Sequence, residues 1–481
     1  MSRYTAITPA DLDAMLAAIG VASSQELFDR QIPEAVRLRR ALELPDGMPE
    51  QDVYEHLREL AARNVSAEDE LSFLGAGMYD HYVPALIDML MERSEFLTPY
   101  TPYQPEISQG GLQVMFEYQT AISELTALPV ANASVYEGPS AVAAAAYLAK
   151  LHNGGRRIVA SAGLHPHTLQ TLRTNAHGFG MEVVEVGLRD GVTDADAWAA
   201  ALSADAGADV QAPVSAAIFA QPNFYGAVED AAALAAAAKK EADPVVIAQV
   251  DPITLGILRP PGECGVDVAV GEGQSLGNRL DFGGPSFGLF AAREEYLRRM
   301  PGRIAGETVD VDGRRGFVLT LQTREQHIRR EKATSNICTS QALNALAGVV
   351  YLSWLGRRGI VELGELLLAR TDYARRTLAA LPGVRAAHTQ PVIREFALQL
   401  DADVAAVRTR CAREGVNPGA DLHALSGRDE DRGGLLVAIT ERRSRADIDR
   451  LAQVLGAAVA AERERGSSGE TGVPGEAAVT V

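Results

Sequence analysis

The chain has 481 residues, 47% hydrophobic and 22% charged, which is ordinary for a globular protein and long enough for two or three domains. Its formal net charge of −18 argues against nucleic acid as a partner, because that needs a clustered basic surface, and against anionic membranes. Cys264, Cys338 and Cys411 are few and far apart, which favours a reducing compartment and predicts neither a disulfide nor a metal site. Because the chain starts without a signal-peptide pattern and its longest apolar run is too short for a bilayer, we expect a cytoplasmic protein.

The first part of the chain reads as helical. Thr8 and Pro9 form a helix start, and amphipathic stretches follow around 12–19 and 53–62. More helices are expected from about 70 to 130, interrupted near 99–105, where three closely spaced prolines prevent a regular helix.

From about 136 to 300 short apolar strands alternate with helices. Strands without polar alternation, separated by helices, indicate a parallel sheet covered on both faces, and therefore an α/β fold. The predicted strands are 158–160, 183–186, 216–219, 245–250 and 266–270, and the predicted helices are 166–175, 195–202 and 231–241.

The last third predicts a long helix and then a smaller α/β unit. The helix covers 339–380, and the smaller unit contains elements at 394–400, 404–414, 434–439 and 447–459. We therefore divide the chain into a helical N-terminal segment (1–65), a large domain (66–330), a small C-terminal domain (331–460) and a disordered tail (461–481).

A strand that ends in Asp251, a second strand and a polar turn resemble the layout of pyridoxal-phosphate enzymes of the aminotransferase-like fold, fold type I. In those enzymes the acid pairs with the pyridine nitrogen, and a lysine in the turn holds the cofactor covalently. Here the turn offers Gln274 and Ser275, and neither has the amine that an imine requires. Position alone also allows Asp251 to be an ordinary acid in a strand-to-helix loop.

Several other residues are candidates for a pocket. Ser140 begins a helix whose N-terminus would suit a phosphate, although serine also simply starts helices. His165 and His167 follow the first strand of the alternating region, where an imidazole could stack on a flat ring; they could equally be loop histidines. The proline-spaced cluster of Tyr100, Tyr103 and Glu106 suits a pocket wall or a packed connector.

Two other patterns carry less weight. Three glycines at 271, 273 and 277 lack the following helix that a dinucleotide-binding turn needs. The charged run at 323–332 is typical of a solvated helix face, although the Ser/Thr-rich residues after it would suit the edge of a site.

Four longer motifs resemble the P-protein of the glycine cleavage system, over roughly residues 5 to 455. They are YTPYQPEISQG at 100–110, YEGPS at 136–140, MPGR at 300–303 and LQTREQHIRREKATSN at 321–336. In that family the protein is one long chain of two similar halves or two separate subunits. This chain is similar to the separate first subunit, which lacks the cofactor lysine; the family's lysine aligns near Gln274 or Ser275.

The resemblance implies a function for an assembly. Pyridoxal 5′-phosphate would be bound by a lysine-bearing second P-protein subunit, and the complex would decarboxylate glycine. The aminomethyl group would pass to the lipoyl arm of the carrier H-protein, in a heterotetramer that also contains this chain. Within it, Tyr100, Tyr103, Glu106 or the histidines could reach the partner's site.

Two rival functions are kept. The chain could be a non-catalytic scaffold or regulatory subunit that retains an enzyme fold. It could also be a self-sufficient decarboxylase, which would require one of its four lysines, Lys150, Lys239, Lys240 or Lys332, to hold the cofactor.

Overall fold

A computed structural model describes residues 6–40, 42–203 and 213–468. The chain forms two compact units, Met1–Val65 and Ser66–Val481. The boundary between them coincides with the end of the predicted N-terminal segment. A further division of the second unit at residue 330 stays a prediction.

The first unit is helical, as its sequence indicates. Its helices are α1 (Pro9–Ile19), α2 (Ser24–Gln31) and α3 (Glu50–Ala61). The predicted helix start at Thr8 is confirmed: the Thr8 hydroxyl accepts a hydrogen bond from the Asp11 amide at 3.2 Å, and the Asp11 carboxylate accepts one from the Thr8 amide at 2.9 Å.

The second unit contains the remaining helices. They are α4 (Ala85–Met91), α5 (Ser94–Leu97), α6 (Gln109–Thr126), α7 (Gly138–Asn153), α8 (Pro166–Gly178), α9 (Ala195–Leu202), α10 (Ala231–Glu241), α11 (Gln326–Arg329), α12 (Ala342–Ala379), α13 (Val404–Arg413), α14 (Leu422–Ser426) and α15 (Arg445–Ser468).

Its strands form one large sheet and several smaller ones. They are β1 (Leu71–Ser72), β2 (Val130–Ala131), β3 (Arg157–Ser161), β4 (Glu182–Val186), β5 (Leu188–Arg189), β6 (Val192–Thr193), β7 (Val214–Gln221), β8 (Val245–Val250), β9 (Val268–Glu272), β10 (Gly288–Ala292), β11 (Ile304–Val309), β12 (Arg315–Thr320), β13 (Val384–Ala386), β14 (Glu395–Leu400), β15 (Val416–Asn417), β16 (Ala420–Asp421) and β17 (Gly434–Ala438).

The large sheet has the order β2-β10-β9-β8-β7-β3-β4. Strands β4, β3, β7, β8 and β9 run parallel, which confirms the predicted mainly parallel sheet, whereas β10 is antiparallel to β9. Side chains of β7 alternate between two cores: Ala217 and Phe219 join one, and Ala216 and Ile218 the other. Burial on both faces explains why these strands lack polar alternation.

A separate four-stranded antiparallel sheet, β13-β14-β17-β16, lies in the C-terminal part of the second unit. Its own apolar core includes Phe396 and Val437 from the sheet, Val407 from α13, and Leu451 and Leu455 from α15. The smaller unit of strands and helices that the sequence predicts near the C-terminus is therefore present.

The predicted disordered tail is wrong for residues 461–468. Helix α15 continues to Ser468. The Glu462 carboxylate forms an ion pair with Arg410 of α13, and this polar contact holds the part of α15 that lies beyond its apolar face. Residues 469–481, the rest of that prediction, lie outside the described residues.

No helix within the described ranges is long and apolar enough to cross a membrane. Within the same ranges, no group of three or more His, Cys, Asp or Glu side chains could hold a metal ion.

Candidate functional site

A cavity of about 520 Å³ opens at the carboxyl ends of β7, β8 and β9. Ligands of parallel α/β sheets bind at this edge, because strand ends and helix N-termini converge there. Asp251 directly follows β8, Glu272 ends β9, and helices α7 and α8 begin at the rim. The cavity is therefore the candidate site.

Asp251 lines this cavity, but an arginine from a distant part of the chain neutralises it. Arg394, just before β14, donates from Nη1 to the two Asp251 carboxylate oxygens at 3.0 and 2.8 Å. The Arg394 side chain is only 2% exposed, and its guanidinium lies 3.6 Å from the centre of the Tyr79 ring. The acid predicted to meet a ring nitrogen is thus engaged within the chain.

Gln274 fixes the loop before α4 and does not line the cavity. It is fully buried; its Oε1 accepts a hydrogen bond from the Tyr79 amide at 2.9 Å, and its Nε2 donates to the Tyr79 and Asn278 carbonyls at 3.1 and 2.9 Å. Ser275, the next residue, lines the cavity. The turn therefore presents a hydroxyl where the resemblance expects a lysine.

The same loop binds Glu395, a buried carboxyl on β14. Glu395 accepts hydrogen bonds from the Ala76 amide at 2.7 Å and the Tyr79 hydroxyl at 2.9 Å. Burial raises the pKa of Glu395 to about 7, although the hydrogen bond from Ala76 opposes the shift. The group is therefore partly protonated near neutral pH.

Two carboxylates occupy the N-terminus of α7, which the sequence left open as either a phosphate site or an ordinary helix start. Glu137 is the N-cap, and its Oε2 accepts from the Ser140 amide at 2.9 Å and the Ser140 hydroxyl at 2.7 Å. The Gly138 amide donates to Glu272 Oε2 at 2.9 Å. Burial raises the pKa of Glu272, and the nearby Glu137 charge adds to the shift. The donors that a phosphate would need already serve these side chains.

The two predicted histidines lie at the start of α8. His165 Nδ1 accepts a hydrogen bond from the His167 amide at 3.0 Å, so Nε2 carries the proton and donates to the Ala76 carbonyl at 2.9 Å. Burial lowers the pKa of His165 to about 4, and His167 adds to the shift, which keeps the ring neutral at pH 7. Both histidines line the cavity.

Tyr100, Tyr103 and Glu106 do not line the cavity. Tyr100 is 85% exposed, and the Tyr103 ring packs 5.7 Å from His327 in an edge-on contact. Arg303 connects their segment to the stretch before α12, because its Nη2 donates to the Thr101 hydroxyl at 3.1 Å and to the Cys338 carbonyl at 2.9 Å. These side chains lie on the outer surface, and their role in a partner's site stays a prediction.

Sequence reasoning missed five residues of the site: Tyr79, Glu137, Glu272, Arg394 and Glu395. Two of them carried a signal, since Glu137 precedes a helix start and Glu272 lies between glycines at a strand end. Nothing local marks Arg394, which reaches the site from a strand start 143 residues after Asp251.

The cavity does not fit pyridoxal phosphate in the way that enzymes of this fold hold it. That cofactor needs an amine, a free carboxylate at its ring nitrogen and donors for its phosphate. All four lysines lie in the described ranges and none lines the cavity. The carboxylate and the helix N-terminus are engaged by Arg394 and by the glutamates at 137 and 272.

The sheet order and the cavity at its carboxyl edge define the class of fold, which is fold type I of the pyridoxal-phosphate enzymes. Solved structures of low identity show the same fold. A sphingosine-1-phosphate lyase of Burkholderia pseudomallei is 18% identical with a TM-score of 0.64, and the match covers 91% of this chain and 97% of the lyase. A cysteine desulfurase of Escherichia coli is 16% identical with a TM-score of 0.60, and the match covers 84% and 98%.

More similar proteins identify the family. A sequence model of the glycine cleavage system P-protein matches residues 2–455. A crystal structure of a glycine decarboxylase (P-protein) is 40% identical with a TM-score of 0.83, covering 95% of this chain and 100% of that one. A probable glycine dehydrogenase (decarboxylating) subunit 1 of Moorella thermoacetica is 49% identical over 93% of this chain and 98% of its own; its counterpart in Geotalea uraniireducens is 46% identical over 94% and 99%. The chain belongs to the glycine cleavage system P-protein family.

Proposed function

We propose that this chain is the first subunit of a two-subunit glycine dehydrogenase (decarboxylating), and that a second subunit binds the pyridoxal phosphate. One observation carries the proposal: the cavity where this fold holds its cofactor is lined by no lysine, and its acid and its helix N-terminus are engaged within the chain. The curated relatives that match nearly the whole chain are named as subunit 1, which supports it.

The reaction belongs to the assembly. Glycine loses carbon dioxide, and its aminomethyl group passes to the lipoyl arm of the carrier H-protein. Bound pyridoxal phosphate acts as the electron sink that makes this decarboxylation feasible. Because no lysine of this chain lines its cavity, the chain is inactive alone.

The contribution of this chain is to contact and shape the site of its partner, in a cytoplasmic heterotetramer of two copies of each subunit. Tyr100, Tyr103 and Glu106 are exposed, yet their segment is held by Arg303 and by the packing of Tyr103 on His327. Exposed aromatic side chains on a fixed segment are typical of protein interfaces. We place this segment against the second subunit.

Mutual dependence of the subunits tests the proposal. Glycine-dependent release of carbon dioxide is measured with this chain, with the lysine-bearing subunit, and with both. Release only from the mixture is the expected result. Full activity of the lysine-bearing subunit alone would contradict it and make this chain a scaffold.

Alanine substitutions test the interface. Tyr100→Ala, Tyr103→Ala and Glu106→Ala are compared in the reconstituted complex, with Val311→Ala as a control, since Val311 is fully exposed on the distinct β11–β12 hairpin. We expect at least one of the three to reduce turnover or assembly about tenfold, because truncating an energetically important interface residue costs more than about 1 kcal/mol. Unchanged turnover and assembly for all three would remove the segment from the interface.

A further inference from the structure

We propose that the cavity at the carboxyl edge of the sheet is a binding site for an organic cation, a primary ammonium carried on an apolar body. The ligand class is the opposite of the phosphate-bearing cofactor of this fold. The inference does not depend on the proposed function, because it concerns only side chains of this chain.

The cavity wall carries an excess of acidic side chains. Four carboxylates line it, those of Glu137, Asp251, Glu272 and Glu395, and the lining includes no lysine or arginine. Only Asp251 has a basic partner, Arg394. The other three form no ion pair with a lysine or arginine of the described ranges. Glu137 and Glu272 therefore lack a cationic partner, and Glu395 adds a further carboxyl group that is only partly ionised near neutral pH. A cavity lined in this way attracts cations.

The helix N-terminus cannot reverse this preference. The α7 amides that would attract an anion donate to Glu137 and Glu272, so the positive end of the helix dipole is already compensated. An incoming phosphate would have to displace these two side chains or lie beside them. Anion binding at this corner is therefore disfavoured.

Ser275 provides an independent observation. It lines the cavity, is only 4% exposed, and its hydroxyl makes no hydrogen bond within the described ranges. Gln249, also in the lining, has an Oε1 that is buried without a hydrogen-bond partner. A buried polar atom without a partner, such as Gln249 Oε1, is unfavourable, and a ligand that donates hydrogen bonds would satisfy it and could also donate to the Ser275 hydroxyl.

Primary ammonium matches these acceptors. It has three donors and no acceptor, which suits carboxylates, an amide oxygen and a hydroxyl. A metal ion is a poorer match, because no group of three or more His, Cys, Asp or Glu in the described ranges has the arrangement to hold one.

The other residues that line the cavity are mainly apolar, and they indicate what the uncharged part of the ligand must be. Met78, Phe224, Val250 and several prolines give the wall a mainly apolar surface, and 520 Å³ is within the usual range for small-molecule pockets. A bare ammonium would leave this surface in contact with water. The site therefore fits an amine with an apolar part at least the size of one aromatic ring.

Three probes of one shape test the charge preference. Benzylamine, benzyl alcohol and benzoate are titrated into the purified full-length chain at pH 7.5 by calorimetry. We expect saturable 1:1 binding of benzylamine, at least tenfold weaker binding of benzyl alcohol, and no binding of benzoate. Equal binding of the three probes, tighter binding of benzoate, or no binding of benzylamine up to 20 mM would each overturn the proposal.

Matched variants locate the binding. Glu272→Gln removes one cavity charge and keeps the shape, and we expect it to weaken benzylamine at least tenfold. Ser275→Ala should weaken it about threefold. Glu307→Gln, which removes an exposed carboxylate on β11, should change nothing. If the three variants lose affinity for benzylamine equally, or if none of them loses affinity, benzylamine binds outside this cavity. Circular dichroism verifies folding, and if Glu272→Gln is unfolded, Ser275→Ala and the three-probe series still decide.

Discussion

Replacing Asp251 by asparagine removes one partner of a buried ion pair and leaves the other in place. The Arg394 side chain is 2% exposed and the Asp251 side chain 18%, so little water can replace the lost carboxylate. Breaking such a pair from one side costs about 3–5 kcal/mol. Because Arg394 keeps its contact with the Tyr79 ring, we expect the lower end, about 3 kcal/mol of unfolding free energy.

The assay is chemical denaturation of the full-length chain, monitored by circular dichroism. The double variant Asp251→Asn with Arg394→Met removes both charges, so it should be less destabilised than the sum of the single variants by about 2 kcal/mol. The exposed pair of Arg315 and Glu307 is the control, and Glu307→Gln should leave the denaturation curve nearly unchanged, because exposed ion pairs contribute little to stability. A loss below about 1 kcal/mol for Asp251→Asn, or strict additivity in the double variant, would show that the pair is not a coupled, buried ion pair.

Three further predictions concern the loop at 75–79 and its partners. Gln274→Lys should not create a cofactor site, because the side chain at this position is fully buried against Tyr79. We expect the unfolding free energy to fall by about 2–3 kcal/mol and pyridoxal phosphate to give no bound-cofactor absorbance. Such absorbance would contradict this prediction. The pKa of Glu395 is raised from 4.5 to about 7, so its carboxyl binds a proton more tightly when folded; its stabilising contribution is complete below pH 4.5 and is lost as the pH rises through 7. Relative to Glu395→Gln, the wild type should therefore lose about 3 kcal/mol between pH 4.5 and 7.5 in denaturation curves, and parallel pH profiles would disprove the shift. Gly75→Ala should lower the unfolding free energy by about 1–3 kcal/mol, because an added Cβ would lie 2.3 Å from Glu395 Oε1. The control is Gly110→Ala on α6, where an added Cβ meets open space. Equal melting curves for the two variants would contradict this prediction.

The large sheet could be predicted because its strands are buried on both faces. Continuous apolar runs such as 245–250 then differ clearly from the amphipathic helices between them. Strand β10 and the β11–β12 hairpin were missed. The β10 residues, Gly288–Ala292, are apolar and follow a glycine-rich loop, so nothing local shows that the chain reverses direction there.

The site was only partly predictable, for a physical reason. Asp251 and Ser275 follow strands, and the rule that ligands bind at strand carboxyl ends locates them. Glu395 begins β14 of the four-stranded sheet and Arg394 directly precedes it, and both reach the site through packing between that sheet and the large one. Neither residue belongs to a local motif, so the neutralisation of Asp251 could not be inferred without the fold.

The central claim is that this chain cannot hold pyridoxal phosphate and depends on a lysine-bearing partner for it. A spectrophotometric titration tests this most directly: pyridoxal phosphate is added to the purified chain, to the lysine-bearing subunit and to their mixture, with carbon dioxide release from glycine followed in parallel. We expect no bound-cofactor absorbance for this chain alone, and both absorbance and carbon dioxide release for the mixture. Bound-cofactor absorbance and decarboxylation by this chain alone would contradict it.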